Sequence, residues 1–518
     1  MASSEKLNKG RKVAKRNKII VGLIIALGVL IIAGYIIHIT GVLPKTVTAV
    51  KIVETDENGH SKTIKKASVL ETQFHYREVY NTNAYQYMYA YGVSDFDDVA
   101  DPETGKTYNE MMYDQAAAEI MNITVLGREI KNYDNFYSAA DRFTESSIDE
   151  IRDQADERDW TADRLLQSTY GTGMTVNQYR KFLREEIRVQ EFENYINQFE
   201  LLPSEEEIQA AYDSNPTIYD SVDFNSYYFP YELDDEGNVT DTQPALDAAN
   251  EVIDAVENGS DFNDAVIEVL LEDEEANASK LSAFGYVADE DGNLTAPEEE
   301  PETDPTLMED WSFSEAETYK FEEFLFDDET EAGDTIVVEA DNGVYALCMI
   351  ERGTDDETTV AYRTLTLATG VSSATDSEED ILEAVAETTA EANGLVAAPM
   401  TSLEFTKLVK DNTDKADEII DGGYEEGVTA DSFEGATGAQ EQLGQWLFDP
   451  ARKVGDVTVI ESDDHSTVTI YYFDSSVPAW MYTAQLEART TTYNTWTSGL
   501  LANVTYDISY KLMDRFIY

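Results

Sequence analysis

The side chains able to do chemistry in this chain are few and scattered. Four histidines (His38, His60, His75 and His465) and one cysteine (Cys348) accompany 104 acidic residues. No two histidines stand at a local ligand interval, so zinc hydrolysis has no visible ligand set and no metal is expected. Asp234-Asp235-Glu236-Gly237-Asn238 and Asp289-Glu290-Asp291-Gly292-Asn293 lack the glycine at the sixth and the glutamate at the twelfth position of a calcium loop, and read as hairpin turns. The sequence also carries no GxSxG elbow, no phosphate-binding loop and no dinucleotide fingerprint in strand-to-helix context. Cys348 sits in the apolar stretch GVYALCMI, where a small buried hydrophobe is expected. Hydrolase and nucleotide chemistry are therefore disfavoured, and no cofactor is expected.

Aromatic side chains and negative charge are abundant instead. The chain holds 31 Tyr and 20 Phe and a net charge of −68. Nucleic acid is disfavoured as a partner, because a phosphate backbone is bound by clustered Lys and Arg. Residues 67–92 read as a helix carrying Phe74, Tyr76, Tyr80, Tyr85, Tyr87, Met88, Tyr89 and Tyr91. Such a stripe serves either core packing or an adaptable surface for apolar segments of another chain. On the second reading the client-binding candidates are Phe74, Tyr76, Tyr80, Tyr87, Met88 and Tyr91, with Phe284 and Tyr286 further along.

These residues must be positioned by the elements around them. A basic tail, 1–18, precedes an uncharged apolar run from Ile19 to Ile39, which predicts a transmembrane helix over 19–40. Positive charge before the span places the tail in the cytoplasm and the bulk of the chain outside the cell membrane. A cleaved signal peptide competes, with Val47 and Ala49 as small residues at the cut, but the run is longer than an ordinary h-region. Asp56-Glu57-Asn58-Gly59 then marks a hairpin. Thr175 with Gln178, and Ser204 with Glu207, mark helix starts, so 45–217 reads as a mostly helical lobe.

Beyond the lobe the chain repeats itself. FLFDDETEAGDTIVVEAD at 324–341 recurs as WLFDPARKVGDVTVIESD at 446–463, a constant offset of 122 with 8 identities in 18. A helix end, a Gly-Asp turn and a strand recurring together imply two copies of one α+β domain, over 220–353 and 358–475. Residues 476–518 add a helix and a closing strand.

The order LPSEEEIQAAYDSNPTIYD, strand, ALDAANEVIDAVENGSDFNDAV, SAFGY and FEEFLFDDETEAGDTIVVEADNGVYALCMIER resembles membrane-associated foldases of the SurA and PrsA type. That resemblance implies an α+β architecture: an N-terminal transmembrane helix, a helical chaperone lobe, two tandem parvulin-like domains, and a C-terminal helix and strand returning to the lobe. It also implies a chaperone that binds unfolded or partly folded exported polypeptides. The family's isomerase pocket uses two histidines with a Cys or Asp between them. In the first copy those positions fall at Tyr228 and Tyr345, with Asp273 between; in the second they fall near Arg363 or Thr364 and Thr467. No histidine occupies any of them. The expectation is thus a foldase with degenerate domains, against two alternatives: an active peptidyl-prolyl isomerase, and a cell-surface scaffold or adhesion module.

Overall fold

The computed structural model describes residues 41–234, 237–288, 294–297, 303–372 and 374–516. They form an α+β structure with 52% helix and 22% strand. Among them no helix is long and apolar enough to cross a membrane, which corrects the expected fold class. The longest described helices, Ala479–Leu501 and Tyr108–Glu129, carry Glu487 and Arg489, and Glu110, Asp114, Glu119 and Arg128, too polar for hydrocarbon. The run 19–40 and the tail 1–18, on which the membrane expectation rested, lie outside the described residues.

The lobe is not purely helical. Strands Thr48–Thr55 and Ser61–Ser68 form the expected hairpin, with Asn58 donating its N–H to the Asp56 carboxylate at 2.9 Å. Val504–Ile508, from the far end of the chain, completes this sheet by pairing antiparallel with Thr48–Thr55. A last short helix, Tyr510–Phe516, follows instead of a longer strand. Helices Val69–Tyr89, Tyr108–Glu129 and Val176–Tyr195 bury their apolar stripes beside the sheet in two clusters. One is built around Val50, Tyr76, Tyr113 and Met513, the other around Leu70, Phe74, Phe182 and Ile187. Ser204 and Glu207 form the reciprocal cap expected of them. Thr175 accepts the Gln178 N–H.

Each of the two following modules contains a four-stranded antiparallel sheet. The first runs Leu307–Ser312, Asp220–Pro230, Gly343–Thr354, Thr335–Ala340 across the sheet; the second runs Tyr424–Val428, Thr358–Ala368, Thr467–Pro478, Val457–Glu461. In order of sequence both read second, first, fourth, third. The register agrees residue by residue, including its break. Met349 faces Phe224 and Glu351 faces Asp223, skipping Ile350; Phe473 faces Tyr362 and Ser475 faces Ala361, skipping Asp474.

The repeated Gly-Asp turn accounts for the shared sequence. Gly333 and Gly455 adopt φ values of 91° and 90°, a region that favours glycine. Gly333 donates to the Met349 carbonyl at 2.8 Å and Gly455 to the Phe473 carbonyl at 2.9 Å. The neighbouring carboxylates do the same work twice: Asp334 accepts the Glu331 N–H at 2.9 Å and Asp456 the Lys453 N–H at 3.0 Å.

Candidate functional site

Ser68 caps the Val69–Tyr89 helix by accepting the Glu71 N–H at 3.1 Å, and the helix then runs from the core into solvent. Its first half lies between the two lobe clusters, so Phe74 and Tyr76 are 1% and 4% exposed. Both are closed to a client. Tyr80 and Tyr87 are half-buried braces, Tyr80 against Tyr76 and Phe96 and Tyr87 against Tyr108.

Beyond Ala84 the neighbours on one side end. Tyr85, Met88, Tyr89 and Tyr91 are 70%, 47%, 72% and 65% exposed, and the rings of Tyr85 and Tyr89 lie 4.3 Å apart. Of the six candidates on and just beyond this helix, Met88 and Tyr91 are open. Tyr85 and Tyr89, outside the candidate set, are more exposed still. Their signal was the helical period: Tyr76, Tyr80, Ala84 and Tyr87 recur every three or four residues facing inward, and Tyr85 and Tyr89 fall on the other side.

In the first module Phe284 is a core residue, 2% exposed, and Tyr286 packs partly buried against the same cluster. Tyr228 and Tyr345 do come together. They face one another across neighbouring strands with ring centroids 4.8 Å apart, and Tyr345 meets the edge of Phe321 at 5.1 Å. The Tyr228 ring covers Gly343 so closely that a Cβ there would lie 2.4 Å from it. Burial, then Tyr228 and Tyr319, push the Tyr345 phenol above its ordinary value. Asp273 is not part of this group. It caps helix Glu274–Leu281 by accepting the Ala276 N–H at 3.2 Å, and that helix packs its Leu281 with Phe229 and Val344. Alternation along each strand puts these two on the face opposite Tyr228 and Tyr345. The three expected pocket residues are therefore split between the two faces of the sheet.

In the second module the register corrects the expected counterparts. The position facing like Tyr345 is Thr469 and its partner is Thr366, whose hydroxyls lie 3.5 Å apart. The two-residue-longer turn at 462–466 displaces the equivalence from Thr467. Arg363 is instead a buried anchor, 1% exposed. It donates to Asp474 at 3.0 Å, Thr406 at 2.9 Å and the lobe's Gln198 at 2.8 Å, between the rings of Phe199 and Tyr424. Lys410 and the lobe's Glu191 form a second buried pair at 3.0 Å, 3% and 0% exposed. A cleft of about 290 Å³ opens beside this seam, lined by Leu202, Pro203, Ile208, Val360 and Tyr482, with the Arg489–Glu426 ion pair at its wall.

One cluster had no signal in local spacing. His75, Glu119 and Glu186 come from three helices, and one ligand-type atom of each lies within 4.8 Å of the others. Burial, partly offset by His75, lifts the Glu186 carboxyl to about 7. The chain matches no family model and no curated protein.

Proposed function

We propose that this protein is an extracytoplasmic holdase, which binds unfolded or partly folded exported polypeptides without turning over their prolyl bonds. The observation that carries this reading is the exposed aromatic end of the Val69–Tyr89 helix, where the Tyr85 and Tyr89 rings pair in the open and Met88 and, just past the helix, Tyr91 are exposed as well. Tyrosine rings offer a large apolar contact area with a polar tip, and exposed apolar patches mark interaction surfaces. The net charge of −68 keeps such a complex soluble. The placement outside the cytoplasm is part of the proposal and rests on sequence alone.

Isomerisation receives less support. Its candidates do not meet in one pocket, and the tyrosine pair in the first module is packed ring to ring. Lowering a barrier of about 20 kcal/mol requires a pocket that grips and desolvates the amide. Aggregation of several unrelated unfolded clients, followed by light scattering, tests the holdase reading together with proline-limited refolding of a model client. Suppression at near-stoichiometric ratios without faster refolding is expected. Catalytic turnover would return the reading to an isomerase, and binding of one folded partner without suppression would favour a scaffold.

A further inference from the structure

His75, Glu119 and Glu186 project from helices Val69–Tyr89, Tyr108–Glu129 and Val176–Tyr195 into one small space. His75 is 3% exposed and Glu186 9%. The His75 Nδ1 and the Glu186 Oε2 are buried without a hydrogen-bond partner, an arrangement that is costly for polar atoms. The Nδ1 lies 3.5 Å from Glu119 Oε1 and 3.8 Å from Glu186 Oε2. These separations are long for hydrogen bonds. Ligands at about 2.0–2.2 Å around a tetrahedral centre stand roughly 3.3–3.6 Å apart; the Glu119 separation falls in that range and the Glu186 separation exceeds it by about 0.2 Å, a small side-chain adjustment.

The surroundings favour a cation. The nearby Lys65 is engaged with Glu71 at 2.8 Å and Glu185 at 3.3 Å. The Glu186 Oε1 faces the Gln190 amide at 3.5 Å, and Oε2 lies 3.8 Å from the imidazole Nδ1. The Glu119 side chain keeps 31% of its surface open, which provides an entry path.

We propose that these three side chains form a binding site for a divalent first-row transition cation, of the Zn2+ or Mn2+ kind, with water completing the shell. One imidazole nitrogen and two carboxylate oxygens are too few and too mixed for Ca2+, which takes six to eight oxygens, whereas imidazole with carboxylate suits the transition ions. The ion joins three helices of the lobe, so its binding stabilises the lobe whatever the chain does with clients.

The test uses the full chain, stripped with EDTA and dialysed against micromolar ZnCl2 or MnCl2, with MgCl2 and CaCl2 as parallel arms. Retained metal is counted by mass spectrometry. One equivalent of Zn2+ or Mn2+ is expected, with a higher melting temperature. Glu119→Gln, at the open edge, is expected to weaken retention about 100-fold or more, judged against the 10–100-fold losses of outer-shell changes. Glu185→Gln, an acidic neighbour outside the triad, leaves retention unchanged. Co2+ loading of the unmutated chain adds a readout independent of variant folding, through paramagnetically shifted imidazole resonances. No retained equivalent, retention unaffected by Glu119→Gln, equal retention of Mg2+ or Ca2+, or a Co2+ complex without an imidazole ligand would each overturn the proposal.

Discussion

The two modules share a strand order, a Gly-Asp turn and a break in register, yet they meet the rest of the molecule differently. At the break the first module carries Ile350, 36% exposed, and at the register position of Arg363 it carries Asn225, which donates to Thr306 in its own module. The second module carries Asp474 and Arg363 at those places, and uses the pair to hold the lobe's Gln198 and Phe199. One fold therefore serves twice under different constraints. The second copy is locked to the lobe through buried charges, whereas the corresponding positions of the first are turned to solvent and to their own sheet.

The largest test of this contrast is to remove a seam charge. Lys410→Met strands the buried Glu191 carboxylate, and unpairing a buried ion costs about 3–5 kcal/mol; urea unfolding should register that loss in the lobe and the second module together. Arg363→Met leaves Asp474, Gln198 and Thr406 without their common donor, and a loss of similar size, about 3 kcal/mol, is expected. The matched change in the first module, Asn225→Ala, removes one neutral hydrogen bond worth about 1 kcal/mol. Equal losses in the two modules would break the comparison.

Smaller effects sharpen it. Gly343→Ala drives a methyl into the Tyr228 ring and should cost about 1–3 kcal/mol by overpacking. The second copy already carries Thr467 at that register position, so Thr467→Ala should be close to neutral in the same assay. The seam also has a pH signature. Burial, aided by Glu425, Asp417 and Glu418 and opposed by the Gly423 N–H, raises the Asp421 carboxyl from 3.8 to about 6. Between those values the folded state holds a proton that the unfolded state releases, so this group's contribution to stability falls as pH rises through the window and is lost above it. Asp421→Asn should flatten that slope in thermal melts between roughly pH 4 and pH 6.

Much of this architecture was legible because it is written in local patterns. The Gly-Asp turn, Ser204 with Glu207, and the Asp56–Gly59 hairpin each depend on residues a few positions apart, and each was found. The seam was not legible, because Arg363 and Gln198, or Lys410 and Glu191, meet only through the tertiary fold. The same holds for His75, Glu119 and Glu186. Equating Tyr345 with Thr467 failed because the constant offset ignored two extra residues in a turn, which only strand pairing exposes. On the tyrosine helix the composition identified the right element, while burial of its first half by the lobe decided which rings a client can reach.

The central claim is that the open end of this helix grips unfolded chains. It is tested most directly by light-scattering aggregation of a chemically unfolded client, comparing the unmutated protein with a Tyr85→Ser, Tyr89→Ser, Tyr91→Ser variant of unchanged melting temperature. The account predicts at least about a tenfold weaker suppression, equivalent to about 1.4 kcal/mol of binding. Suppression equal to that of the unmutated protein would contradict it.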